Sequence, residues 1–279
     1  MSCLPSRCGL GSPALSYSVH GSGETVILLH GSASSGAVWR RSAAVLQSVY
    51  QVITPDLIGY GKSAPWPEAA SYSIDAETRL LAALLPCCGG PFHLAGHSFG
   101  GTVALHLALS NPIRVRTLTL IEPVFFGALR MVGNRDAYSE FVAIRHRFES
   151  ALKFRSRGNA MRDFIAFWNG VGAWDSLGAE TQDAMCTMAE KILLDWEASF
   201  SFDAPRERLS LLGNRTMLVR GDRSPTAMQA LVDSLQALMP GSTRTVIANA
   251  GHLLPVTHSS DLTSLILAQL HADAERRLR

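Results

Sequence analysis

The chain predicts an α/β fold, with a mostly parallel central sheet, helices on both of its faces, and an inserted run of helices. Three observations carry this. Short, continuously apolar runs such as Thr25–Leu29 and 117–121 read as strands buried on both faces. They alternate with segments whose apolar residues recur every three or four positions, the order expected of strand–helix–strand units. From about 125 to about 208 the alternation stops, and helical patterns follow one another with no strand between. The expected organisation is therefore a core in two parts, 1–124 and 209–279, around a helical insertion at 125–208.

Taken in order, 1–15 is a loose start, broken by Pro5, Gly9, Gly11 and Pro13. It has no apolar block long enough for a signal peptide. Residues 15–20 alternate as an edge strand does, and Gly21, Ser22 and Gly23 suit a hairpin turn. After the buried strand Thr25–Leu29, 38–49 has helical spacing, with Trp39, Ala43 and Leu46 on one face. A strand at 51–54 runs into a loop, and a helix at 74–85 is closed by Pro86 and the run 87–90. Then come a strand at 92–95, an alanine-rich helix at 102–109 and a buried strand at 117–121 that stops at Glu122 and Pro123.

Inside the insertion the helical patterns are 138–154, 160–168 and 179–200. Trp168, Trp174 and Trp196 lie here with Phe164 and Phe167. Such residues either roof an apolar pocket or pack the insertion's own core. Strands return at 216–220 and 243–248, separated by a helix at 226–239, and a helix at 261–274 closes the chain.

Composition narrows the function. Hydrophobic residues make up 47% of the 279 positions and charged residues 17%, which is the profile of a well-buried globular protein. The net charge of +2, from 25 basic and 23 acidic side chains, leaves no surplus for a phosphate backbone or an anionic bilayer. Neither a nucleic acid nor a membrane is an expected partner. Cys3, Cys8, Cys87, Cys88 and Cys186 form an odd, scattered set without metal-ligand spacing, as free thiols in the cytoplasm would.

The most informative stretch is Gly96, His97, Ser98, Phe99, Gly100, Gly101. G-x-S-x-G also occurs in ordinary turns, but here it joins a buried strand to a helix, the setting in which it presents a nucleophile. Glycines two before and two after the serine permit a sharp turn. The helix that follows directs free N–H groups and its positive dipole end at the same place. Upstream, His30, Gly31, Ser32 and Ala33 form a loop that can bring a backbone N–H beside this elbow. The N–H groups of Ser32 and Phe99 are the expected pair of oxyanion donors. The tail Gly61, Lys62, Ser63 imitates a phosphate loop, but Asp56 stands where that motif requires glycine. Asp56 is expected to cap and pin its loop.

His30 with Gly31, the run from Gly96 to Gly101, and Gly251 with His252, in that order, resemble the α/β-hydrolase superfamily over nearly the whole chain. The loop 55–63 is similar to the one after the family's fourth strand, and the insertion is similar to its helical cap domain. The resemblance implies that Ser98 is a nucleophile and that His252 is its general base. His97, His93, His106 and His258 are the competing imidazoles. At the place where the family usually carries its acid this chain has Ser224, followed by Pro225, and a serine there cannot stabilise an imidazolium. Glu122, at the end of the preceding core strand, is the favoured replacement, and Asp222 is the alternative.

Together these imply a serine hydrolase with no metal or organic cofactor. Its substrate would be a small, largely apolar ester, lactone or related acyl compound, including one cleaved at a C–C bond. A catalytically weak ligand-binding or signalling protein, motivated by Ser224, and a cofactor-free acyltransferase are the alternative readings.

Overall fold

Among the described residues, seven strands form one sheet in the order β1-β3-β2-β4-β5-β6-β7. They are β1 (Tyr17–His20), β2 (Thr25–Leu29), β3 (Gln51–Pro55), β4 (Phe92–His97), β5 (Val115–Ile121), β6 (Thr216–Gly221) and β7 (Thr243–Ile247). The computed structural model describes residues 15–67 and 71–278, so most of the N-terminal segment, with Cys3 and Cys8, lies outside the described residues. Every neighbouring pair is parallel except β1 with β3. The chain thus has the mostly parallel, helix-covered architecture that its alternating patterns predict.

One pairing differs from the sequence expectation. β1 does not fold back on β2 as a hairpin but pairs with β3, with Tyr17 opposite Pro55 and His20 opposite Val52. Gly21 and Gly23 take positive φ values of 73° and 111° and lie against the backbone that follows the first helix. A Cβ on Gly21 would stand 2.3 Å from the carbonyl oxygen of Tyr50. The link is therefore a connection packed under the sheet edge, and only glycine fits that space.

Among the described residues, six α-helices lie outside the stretch between β5 and β6: α1 (Arg40–Leu46), α2 (Ile74–Ala82), α3 (Phe99–Ser110), α10 (Thr226–Leu238), α11 (Leu254–Thr257) and α12 (Ser259–Leu278). Those between β5 and β6 are α4 (Gly127–Val132), α5 (Arg135–Phe154), α6 (Arg157–Asn169), α7 (Ala179–Cys186), α8 (Ala189–Ser201) and α9 (Arg206–Ser210). Several begin on side-chain caps. Ser73, Asn134 and Ser156 accept the N–H groups of Ala76, Ala137 and Asn159 at 3.2, 3.2 and 3.1 Å, using donors that have no intrahelical acceptor.

The single helical pattern at 179–200 is two helices. Thr187 Oγ1 donates to the Ala184 carbonyl at 2.7 Å and Met188 N–H to the Met185 carbonyl at 3.1 Å. A side chain that bonds back to the preceding turn competes with helix continuation, so α7 closes before α8 begins. The short α4 has too few residues for its periodicity to be visible in the sequence, and Gly133 ends it in a left-handed conformation at φ 76°.

α3 is buried on nearly every face, between the sheet and α2. This is why its sequence is apolar all round rather than striped. Burial on both sides of the sheet divides the core into two clusters. The larger includes Leu94, Phe99 and Leu118 and continues into the helices of 127–210. The smaller, around Val26, Trp39 and Ile266, lies under α1 and α12.

Candidate active site

The C-terminal ends of β2, β4, β5, β6 and β7 open on one side of the sheet, where parallel α/β folds collect functional loops. Ser98 follows β4 directly and has φ 52° and ψ −121°. A non-glycine residue in that region costs roughly 1–3 kcal/mol, so the neighbouring structure must hold it there. Its N–H donates to the Ile121 carbonyl at 2.9 Å, and its carbonyl accepts the N–H groups of Gly101 and Thr102. The flanking glycines allow close approach. A Cβ on Gly96 would lie 2.3 Å from the Gly100 carbonyl oxygen, and one on Gly100 would lie 2.2 Å from the His30 carbonyl oxygen.

Three of the residues singled out in the sequence meet here. His252 Nε2 lies 3.1 Å from Ser98 Oγ, and His252 Nδ1 lies 2.6 Å from Glu122 Oε2. Glu122 has φ 46°, and its N–H donates to the Val219 carbonyl at 2.9 Å. That turn at the end of β5 aims its carboxylate across the end of β6. There Oε1 accepts the Gly221 N–H at 2.8 Å and the Ser224 hydroxyl. With two further donors on the carboxylate, the proton between Glu122 and His252 sits on Nδ1, which leaves the Nε2 lone pair facing the Ser98 hydroxyl. Ser98, His252 and Glu122 are 8%, 5% and 0% exposed, so the polar chain runs in a largely water-free setting.

Asp222, the alternative carboxylate, does not join them. Its side chain is exposed and its N–H is committed to the Ile247 carbonyl at 3.1 Å. The reason is geometric: Asp222 follows the strand end on the solvent side, whereas Ser224, two residues on, turns inward to Glu122. Ser224, where the resemblance places an acid, thus donates its hydroxyl to the Glu122 carboxylate.

The competing histidines have other partners. His97 Nε2 donates to the His252 carbonyl at 2.7 Å, and burial holds its imidazole well below the usual range, hence neutral. His93 meets Thr117 Oγ1 at 2.9 Å, His106 meets Thr78 Oγ1 at 2.9 Å, and His258 meets Thr257 Oγ1 at 2.9 Å.

The N–H groups of Ser32 and Phe99 have no hydrogen-bond partner among the described residues. Phe99 opens α3, where the N–H has no intrahelical acceptor. The Ser32 loop is pinned by His30, whose Nδ1 donates to the Gly31 carbonyl at 2.7 Å and whose Nε2 accepts the Leu57 N–H at 2.9 Å. Burial lowers this imidazole's pKa to about 4, which keeps it in the neutral form that can do both. Asp56 accepts the N–H groups of Gly36 and Lys62 at 2.8 and 2.9 Å, the pinning role its position suggests.

Two cavities adjoin Ser98. A small one of ≈20 Å³ is lined by Ser32, Phe99, Val124, Asp195, Trp196 and Ser199, among others. A larger one of ≈180 Å³ reaches past His252 to Val38, Ile165, Met185, Leu253 and Val256. Trp168 borders both and stacks on the His252 ring, with centroids 4.0 Å apart and planes at 21°. The aromatic residues of α6 and α8 therefore do both things the sequence allowed, packing on one another and lining the cavities. The stacking on His252 carries no sequence signal. The Lys191 and Asp195 pair, four residues apart on α8, is a signal of buried charge that periodicity alone passes over.

A nucleophile-elbow turn at the end of a parallel strand, with a histidine and a carboxylate converging on it, is the arrangement found in α/β hydrolases. A family model described as the alpha/beta hydrolase family matches residues 26–263, and the chain belongs to that family. The chain is 46% identical to lipase LipV of Mycobacterium tuberculosis over 99 residues, 35% of this chain and 36% of that protein. It is 28% identical over 255 residues to the dihydrolipoyllysine-residue acetyltransferase component of the acetoin cleaving system of Cupriavidus necator. That match covers 90% of this chain and 64% of the relative. The chain therefore spans about a third and just under two thirds of these two curated relatives. Among solved structures, a thermophilic esterase from Thermogutta terrifontis superposes with a TM-score of 0.74 at 22% identity, covering 94% of each chain. Among the described residues no helix is long and apolar enough to cross a membrane.

Proposed function

We propose that this α/β hydrolase is a serine hydrolase that cleaves an ester, lactone or related acyl bond, C–C bonds included, through an acyl-enzyme. The observation that carries the reading is the unbroken series of contacts from Ser98 Oγ to His252 to Glu122, at 3.1 and 2.6 Å. Ser98 Oγ attacks the carbonyl carbon as its proton passes to His252 Nε2. Glu122, already accepting from Nδ1, stabilises the imidazolium. The free N–H groups of Ser32 and Phe99 take the oxyanion. Collapse of the tetrahedral intermediate expels the leaving group with the proton from His252. Water then attacks the acyl-enzyme, with His252 again accepting and returning a proton, and Ser98 is regenerated.

The cavities support a small, largely apolar, uncharged substrate. The larger one carries no Asp, Glu, Lys or Arg among its lining residues, which suits an apolar leaving group. The smaller one, lined by Phe99, adds about one water's room beside Ser98. The name of LipV agrees with ester cleavage. The name of the Cupriavidus relative supports a second reading, transfer of the same acyl group to an acceptor other than water. The free thiol of Cys186 supports a cytoplasmic setting.

The test is Ser98→Ala with p-nitrophenyl acetate and p-nitrophenyl butyrate, together with fluorophosphonate labelling of the wild-type protein. Labelling at Ser98 is expected, and the variant should lose about 10⁶-fold in kcat. Unchanged turnover in the variant removes the proposal. Adding a short alcohol and measuring transesterification separates hydrolysis from transfer.

A further inference from the structure

A second polar cluster lies beside the Ser98 cavity and takes no part in the steps just described. Its centre is Asp195 on α8, which is 1% exposed. Asp195 Oδ2 accepts the Ser32 hydroxyl and the Tyr60 hydroxyl, each at 2.6 Å. Oδ1 accepts the Lys191 ammonium, and the Tyr72 oxygen lies 3.2 Å from it with its hydroxyl given to Glu77 Oε1 at 2.5 Å. Lys191 also lies 3.5 Å from the buried Glu77 carboxylate, and it sits over the rings of Tyr60, Tyr72 and Phe99 at 4.6, 4.3 and 5.1 Å. Burial, reinforced by the Asp195 charge, pushes both phenols well above their usual range, so they remain protonated donors.

This cluster joins two parts of the chain that are far apart in sequence. Ser32 belongs to the loop after β2, and Asp195 is 163 residues further on, among the helices between β5 and β6. That loop has no regular backbone pairing, and Ala33 within it has φ 55°. His30 holds the Gly31 carbonyl, which shares its peptide plane with the Ser32 N–H, and the Ser32 side chain is tied through Oγ to Asp195. A carboxylate that also holds Tyr60 and Lys191 cannot turn to follow a moving hydroxyl, so α8 gives Ser32 a second anchor beside the one His30 gives its peptide. Asp195, Ser32 and Ser98 line the same small cavity.

We propose that Asp195 is a positioning residue: through the Ser32 hydroxyl it sets the Ser32 N–H on the oxyanion, so docking of α8 on the core completes the anion site. The inference rests on the reading of Ser98 as nucleophile. An oxyanion donor acts in the transition state and hardly at all on bound substrate. Misplacing one by about an ångström costs on the order of a hundredfold in rate.

The experiment compares wild type, Ser32→Ala, Asp195→Asn and the double variant in p-nitrophenyl acetate hydrolysis, with thermal melts on each. Ser32→Ala should lower kcat between about tenfold and a hundredfold, leave KM within about twofold, and keep its melting temperature. Asp195→Asn should lower kcat by about a hundredfold, and the double variant should be no slower than Asp195→Asn alone, because both substitutions cut one tether. An unchanged kcat in folded Ser32→Ala, or a double variant whose loss is the product of the single losses, overturns the proposal. If Asp195→Asn does not fold, the kcat and KM of Ser32→Ala decide the matter alone. Wild-type protein that fluorophosphonate does not label removes the nucleophile reading and the tether with it. Labelled wild type with an unaffected Ser32→Ala removes the tether only.

Discussion

Glu122 and Asp195 are both buried carboxylates near Ser98, the first bonded to His252 and the second to Ser32, yet they are held by different kinds of structure. Glu122 stands at the end of β5, its own backbone is bonded to β6, and one of its donors is the Gly221 main chain. Asp195 is held entirely by side chains, from Ser32, Tyr60 and Lys191, across the junction between α8 and the core loops. Strand ends in register hold a group with few free torsions, whereas a side-chain cluster holds it only while two layers remain docked. The same charge type thus serves a fixed element in one place and a coupling between layers in the other.

The strongest way to break this contrast is at Glu122. Glu122→Gln should lower kcat by about 10⁴-fold, because the amide no longer offers His252 a charged acceptor and can favour the wrong tautomer. Steady-state kinetics on an aryl ester checks it, and a loss of less than about tenfold would assign the orienting role elsewhere.

Acid probes both sides at once. The His30 imidazole, at the root of the Ser32 loop, is lowered to about 4 by burial, and His97, under His252, is shifted in the same direction. Between about pH 6.5 and 4 the unfolded chain binds the His30 proton and the folded chain does not. Stability is therefore full above about pH 6.5 and falls as the pH drops towards 4, by about 3 kcal/mol for His30. Urea unfolding at pH 7.5 and 4.5 measures this, and equal midpoints would contradict it.

The Asp195 and Ser32 substitutions, at about a hundredfold or less, come next and test the docked side of the contrast. The smallest effect is expected at Ser224. Ser224→Ala removes one of three donors from Glu122 and leaves the Gly221 N–H and His252 in place, so kcat should fall by about tenfold with KM unchanged. A loss as large as that of Glu122→Gln would mean that the backbone donor does not hold the carboxylate by itself.

How far the site can be read from sequence varies residue by residue. The elbow is legible because a serine between glycines, joining an apolar strand to a helix, imposes its own steric solution within six positions. His252 is legible through Gly251 and its place after the last strand. The sequence favours Glu122 but keeps Asp222 as an alternative, because both follow strand ends. What separates them is that Glu122 turns at φ 46° towards β6 while Asp222 faces solvent. The pairing of β1 with β3, and the break between α7 and α8, escape periodicity for a similar reason. One depends on which edge is free, and the other on two hydrogen bonds at 187 and 188.

The amino-acid order alone determined the alternating strands and helices, the strained serine turn and the set of groups available for chemistry, since each arises from sterics and periodicity within a few residues. Only the folded chain decided which carboxylate meets His252, 130 residues away, and that Asp195 reaches Ser32 across 163. Such contacts depend on how whole layers pack and on which buried polar groups must find partners, and neither is written in any local stretch.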